Sequence, residues 1–198
     1  MLVIIVEGFG EVEAAPLLVR RWFESRGLPA PEIPRPIRVP KTRLVAQGEL
    51  ERTIEQAARR AGPGGAVLVL IDADDDCATA LGQSLRERAR LARADLDVAV
   101  VLPVREFEAW FLASAASLAG HRGLQANLES PPEPEAVRDA KGWLSARMTK
   151  GRTYSPRVDQ AALAQALDFR LAARARSFRK FTRDLDAPGE PLRAGGRV

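Results

Sequence analysis

The chain is poor in the residues that staple, anchor or ligate through soft atoms. Cys77 is the only cysteine among 198 residues, which excludes an internal disulfide and a cysteine-based zinc site and suits a reducing compartment. His121, the only histidine, falls in a loop and reads as a surface residue rather than a catalyst. Lysine is scarce too, supplying 4 of the 30 basic side chains; the rest are arginines, whose planar fork suits phosphate. No apolar run approaches the roughly twenty residues that span a bilayer. The first such run, Leu2 to Val6, stops at Glu7, which fits neither a signal peptide nor an anchor. The expected location is cytoplasmic, with no membrane partner.

What is present is enough to build a core. Hydrophobic residues make up 46% of the chain, and the length suits one domain with an appendage or two small ones. Charge is unevenly spread. Residues 1–112 carry 15 Lys and Arg against 17 Asp and Glu, whereas residues 113–198 carry 15 against 9. Between Lys141 and Arg183 stand 11 basic residues against Asp159 and Asp168 alone, so the C-terminal part is the side expected to face a polyanion.

The N-terminal part alternates strand and helix patterns. Leu2 to Val6, Ile37 to Val39, Ala66 to Ile71 and Val98 to Leu102 read as strands. Glu11 to Arg26, Glu49 to Arg60 and Cys77 to Ala94 read as the helices between them. This βαβαβαβ order predicts a mostly parallel four-stranded sheet with helices on both faces. After Pro103 the pattern turns helical, over Arg105 to Leu118, Glu135 to Met148 and Asp159 to Phe181, the last as one helix or two. Gly120 to Pro134 reads as a loop, and the tail from Asp186 reads as frayed. The expected division is an α/β unit over 1–112 and a basic helical lobe over 113–198.

Two acidic signals follow apolar strands: Glu7-Gly8-Phe9-Gly10-Glu11, and Asp72-Ala73-Asp74-Asp75-Asp76. In parallel sheets ligand sites lie at the carboxyl ends of strands, so both signals are expected at one rim. Asp74 is expected to point with Asp72 if the chain stays extended. Hard cations such as Mg²⁺ or Mn²⁺ take oxygen ligands, often one or two carboxylates plus substrate oxygens. Acids at helix starts also serve as caps or complement the helix dipole, a reading open for Glu11, Glu13, Asp75 and Asp76. Glu7 and Asp72 end apolar strands, where an unpaired charge is costly.

The combination Val6-Glu7-Gly8 to Glu11, Ile71-Asp72-Ala73-Asp74, Arg105-Glu106-Phe107-Glu108-Ala109-Trp110-Phe111-Leu112 and Ser177-Phe178-Arg179-Lys180-Phe181 resembles the Toprim superfamily. Topoisomerases, primases and overcoming-lysogenization-defect nucleases share that domain. Nearer still is the resemblance to small Toprim-like proteins of unknown function encoded beside ATPases in phage-defence gene sets. It implies a Toprim-like Rossmannoid fold over residues 1–112 and a metal-dependent nuclease, a hydrolase acting on DNA or RNA. Glu7 would act at the metal or as acid and base, and Asp72 and Asp74 would bind Mg²⁺ or Mn²⁺. Glu11 would support a second metal. The lysine used by some nuclease relatives is not evident near strand four, where Arg105 stands. That departure keeps open a second reading, an effector subunit that docks onto a partner ATPase.

Strand four ends at the same rim, so Glu106 and Glu108 are further metal candidates, as is Asp76. Phe107, Trp110, Phe111 and Leu112 read as core. For nucleic-acid contact the candidates are Arg105, Lys141, Lys150, Arg152, Tyr154, Arg179 and Lys180, with Arg157 and Gln160 in the same lobe, while Phe178 and Phe181 read as core. A homodimer is compatible with cutting a duplex.

Overall fold

In the computed structural model, which describes residues 1–186, the protein is an α/β structure built on one four-stranded sheet. The strands are β1 (Leu2–Val6), β2 (Ile37–Arg38), β3 (Ala66–Leu70) and β4 (Asp97–Val101), in the order β2-β1-β3-β4. All three pairings are parallel, with Val6 opposite Leu70 and Leu70 opposite Val101. The expected fold class is therefore the observed one. No helix among the described residues is long and apolar enough to cross a membrane.

Alternation along the strands decides which helices each face receives. Leu2, Ile4, Val6, Leu68 and Leu70 share a core with α1 (Glu11–Ser25), while Val3, Ile5, Val67 and Val69 face the other way. The latter pack against α2 (Lys41–Leu44), α3 (Glu49–Ala61) and α4 (Ala78–Ala92) through Leu44, Leu50, Ile54 and Leu85. Side chains two apart on a strand share a face, so unbroken apolar runs can fill two cores at once.

The α1 side also receives the C-terminal helices. These are α5 (Ala109–Ala113), α6 (Ala115–Leu118), α7 (Ala140–Ser145), α8 (Pro156–Ala166), α9 (Phe169–Ala172) and α10 (Arg176–Asp186). Residue 112 lies inside α5, and the sheet residues and the C-terminal helices belong to one hydrophobic cluster. Its centre is aromatic. Trp110 packs at 5.1 Å between ring centroids against both Phe178 and Phe181, and its indole N–H donates to Ser177 at 2.8 Å. The aromatic residues expected in the core are there.

Helix lengths differ from the sequence pattern wherever a polar side chain competes for backbone. The helix expected from Arg105 starts at Ala109: Arg105 has φ 64°, and the Asp72 carboxylate takes the Phe107 N–H at 2.7 Å. It breaks at Ser114, whose hydroxyl accepts the Asp168 N–H at 3.0 Å. The helix expected over Glu135 to Met148 is confined to Ala140–Ser145, after a 3₁₀ turn at Pro134–Ala136 and an Asp139 cap. Asp159 to Phe181 is divided among α8, α9 and α10, and the Asp168 carboxylate starts α9 by accepting two backbone N–H groups. Asp186, where a frayed tail was expected to begin, closes α10 and accepts the Trp22 indole N–H at 3.0 Å. The rest of that expected tail lies outside the described residues.

Candidate functional site

The carboxyl ends of β1 and β3 are neighbours in the sheet, and the two acidic signals meet there. The Asp72 N–H donates to Glu7 Oε2 at 3.3 Å. The loop after β1 turns tightly into α1, and glycine at 8 and 10 is what lets it do so. A Cβ on Gly8 would come within 2.3 Å of Glu11 Oε2, and one on Gly10 within 1.8 Å of Gln160 Oε1. The Gly8 N–H instead donates to Glu11, folding that acid back under Glu7.

The acids separate into an outer and an inner group, with Glu7 touching both. The outer group lines a cavity of about 470 Å³ formed by Glu7, Pro40, Lys41 and Asp74 to Asp76. Asp74 has φ 50°, so the chain does not remain extended past Asp72, and Asp74 is turned outward instead of following it. Lys41 Nζ closes on this turn, 2.8 Å from Asp74, 3.0 Å from Asp76 and 2.6 Å from the Ala73 carbonyl oxygen. Burial works against that ammonium, but the two aspartates outweigh it and raise its pKa.

The inner group is nearly dry. Asp72, Glu11 and Glu108 are all buried. Asp72 Oδ1 accepts the Phe107 N–H at 2.7 Å, tying the exit of β3 to the start of α5. Glu108 Oε1 accepts from the Tyr154 hydroxyl at 2.9 Å and from Gln160 Nε2 at 3.4 Å, and the same Gln160 amide donates to Glu11 at 3.3 Å. Lys141 Nζ lies 2.9 Å from Glu106 and 3.0 Å from Glu108 Oε2. It pairs with that second oxygen by charge and proximity, because Glu108 Oε2 and Gln160 Oε1 are buried with no hydrogen-bond donor aligned on them. Glu106 also accepts the Ala140 N–H at 2.8 Å at the start of α7.

Packing carboxyls this densely shifts their proton affinity. Burial, then Asp74 and Glu11, push Glu7 up to about 7. Burial, then Glu108, Glu11 and Glu7, hold Asp72 well above the usual carboxylate range. Burial raises Glu108 against the pull of Lys141. The Lys141 pKa is raised as well: burial disfavours its charge, but Glu108, Glu106 and Asp72 more than compensate.

Of the expected metal candidates, Glu7, Glu11, Asp72 and Glu108 converge, Asp74 and Asp76 stand at the mouth, and Glu106 joins through Lys141. Among the described residues no three carboxylate, imidazole or thiolate groups close around one point as a ready-made cage. A hard cation needs only one or two carboxylates when water and substrate oxygens fill its shell. Glu7 and Asp74, which line the cavity, provide donors of that kind.

The nucleic-acid candidates scatter. Lys141 and Tyr154 are drawn into the acidic cluster, with Tyr154 buried. Arg105 pairs with Asp75 at 3.0 Å. Lys150 is exposed, and Arg152 lies 3.5 Å from Asp159. Arg179 and Lys180 line a separate groove of about 500 Å³ between α4 and α10, together with Arg86, Arg176 and Arg183. Sequence reasoning passed over Lys41, which follows Pro40 after a strand of two residues. Its signal was the rarity of lysine combined with a place just past a strand exit, the same reasoning that flagged Glu7. His121 is exposed, as expected.

No curated protein and no solved structure matches the chain. One family model does, over residues 6–186, a span that takes in the β1 exit, both acidic signals, Lys41, Lys141 and the basic groove. The chain belongs to the family described as "Domain of unknown function (DUF4276)".

Proposed function

We propose that the protein is a Toprim-like, Mg²⁺- or Mn²⁺-dependent enzyme that cleaves phosphodiester bonds in nucleic acid. The observation that carries this reading is Glu7. It stands at a strand exit on a parallel-sheet rim, faces a cavity, touches two groups of acids, and has a carboxyl raised to about 7. An acid perturbed by burial and by specific charged neighbours, and lining a cleft, is a candidate functional group with a physical rationale.

Glu7 and Asp74 are the residues that would hold the cation, with Asp76 beside them and Asp72 and Glu108 behind. A divalent ion there supplies Lewis-acid polarisation of a phosphoryl oxygen. Glu7 also stands at the cavity wall where an attacking water would be positioned; its carboxyl is raised to about 7 before an ion binds, and a bound cation would favour its ionised form. Lys41, already seated against Asp74 and Asp76, offers positive charge at the mouth, where a phosphoryl oxygen would gain negative charge. Lys141 keeps Glu106 and Glu108 neutralised and so limits the repulsion that Asp72 and Glu11 feel. The resemblance noted in the sequence adds a setting, a phage-defence gene set with a partner ATPase.

Supercoiled plasmid with Mn²⁺, combined with calorimetric titration of the ion, tests the reading. Glu7→Gln and Asp74→Asn are expected to lose at least about a hundredfold in nicking rate and to weaken Mn²⁺ binding while retaining a cooperative thermal transition. Full nicking by both folded variants would falsify it.

A further inference from the structure

We infer that Phe9, Arg38 and Arg157 form a clamp for a phosphate of a nucleic-acid backbone beside the acidic cavity. This identity of the ligand rests on the phosphodiesterase reading, whereas the clamp itself rests on three observations of its own.

Phe9 is 51% exposed and is the only aromatic side chain among the exposed large hydrophobic residues described. This phenyl ring, in the loop that carries Glu7, belongs to neither hydrophobic cluster of the core. Second, two guanidinium groups from distant parts of the chain are drawn to it. The guanidinium carbons of Arg38, at the end of β2, and Arg157, in the first turn of α8, each lie 3.9 Å from the ring centroid. They are therefore separated by no more than twice that distance. Third, neither arginine has an acidic partner among the described residues. Arg38 donates once, to the Glu7 carbonyl oxygen at 3.3 Å, and Arg157 takes part in no ion pair or side-chain hydrogen bond.

Many other arginines of this chain are paired with acids. Arg88 is bound to Glu51, Arg93 to Glu55 and Asp95, and Arg122 to Asp159. Two unpaired cations gathered on one ring repel each other, and an anion at the ring edge, within reach of both guanidinium groups, removes that repulsion. Guanidinium forks match phosphate oxygens in geometry. The neighbouring cavity gives such a clamp a reason to exist. Glu7 and Asp74 to Asp76 repel a polyanion, and cations at the edge are needed to hold a phosphate close to them. The loop is held firmly enough to aim the clamp, because Gly10 sits directly against Pro156 and Gln160 at the start of α8.

Fluorescence anisotropy of a labelled single-stranded oligonucleotide, measured on the whole chain in EDTA, tests the clamp without requiring cleavage. Arg38→Ala with Arg157→Ala is expected to weaken binding by about tenfold or more. The double variant should also reduce the slope of log affinity against log salt by roughly 0.7 for each phosphate that is no longer neutralised. Phe9→Ala, which removes the surface that gathers the two arginines, should weaken binding by a smaller factor. All three side chains are exposed, so an unchanged melting transition checks that the fold is intact. Unaltered affinity and salt slope in the folded double variant overturn the clamp. Equal competition by polyglutamate, abolished in the same variant, reassigns it to an acidic protein and overturns the nucleic-acid assignment. Since binding in EDTA is independent of nicking, the clamp and the phosphodiesterase reading fail separately.

Discussion

At the sheet rim, Lys41 and Lys141 are wedged among carboxylates, whereas along the α4–α10 groove Arg86, Arg176, Arg179, Lys180 and Arg183 line an open surface with Asp184 as the acid that pairs there. The chemistry of the charges is similar, but their surroundings are not. Rim charges are partly or fully cut off from water, so each one's state depends on its neighbours, and the fold is coupled to pH and to cations. Lys180 is the exception in the groove, since it donates to the Val100 carbonyl oxygen, pairs with Asp184 and is pushed down by burial. An exposed groove charge such as Arg183 is screened by solvent and couples weakly to the fold.

The contrast breaks most visibly at Lys141. Lys141→Met removes the ammonium between Glu106 and Glu108 and is expected to cost about 2 kcal/mol at pH 8, below the range for fully buried pairs because the side chain is 39% exposed. The loss should shrink at pH 5, where Glu108, raised by burial, takes up a proton in place of its partner. Urea denaturation at the two pH values measures it, and equal losses at both would contradict the coupling.

A smaller effect of opposite sign is expected at Glu7. Its folded carboxyl is raised from 4.5 to about 7, so its contribution is fully present below pH 4.5 and is lost as pH rises towards and through 7. Glu7→Gln should therefore be more stable than the natural chain by about 1 kcal/mol at pH 8, a figure discounted for partial solvent exposure, and indistinguishable from it at pH 4. Mn²⁺ added at pH 8 should raise the melting temperature of the natural chain more than that of the variant.

Arg183→Ala, in the groove, is expected to change stability by no more than about 0.5 kcal/mol at either pH. A pH-dependent loss there comparable to that of Lys141→Met would erase the distinction between the two regions.

Much of the frame was legible because hydrophobic runs and turn residues are local signals. The four strands, α1, α3 and α4 follow from apolar runs closed by glycine and proline, and the rim placement of Glu7 and Asp72 follows from parallel order. The C-terminal helices were legible only as helical. Their ends are decided by side chains that cap backbone groups far away in sequence: Ser114 with Asp168, Glu106 with Ala140, and Glu135 with Arg176. Lys141 and Tyr154 looked like free polar residues of a basic lobe, because nothing local marks a lysine that will lie beside a glutamate 33 residues earlier.

The amino-acid order alone determined that the strands are parallel and that the acids of residues 7 and 72 leave strand ends on one rim, since alternating strands and helices admit little else, and that the aromatic residues from 107 to 111 are core, which rests on local hydrophobic pattern. Only the tertiary structure decided which charges are neutralised, which are buried, and which stand open. Asp74 leaves the line of Asp72 through a left-handed turn, Lys41 arrives from the exit of β2, and Arg157 reaches Phe9 from the start of α8. Proton affinity and ion pairing depend on distance and dielectric in space, quantities that separation along the chain does not encode.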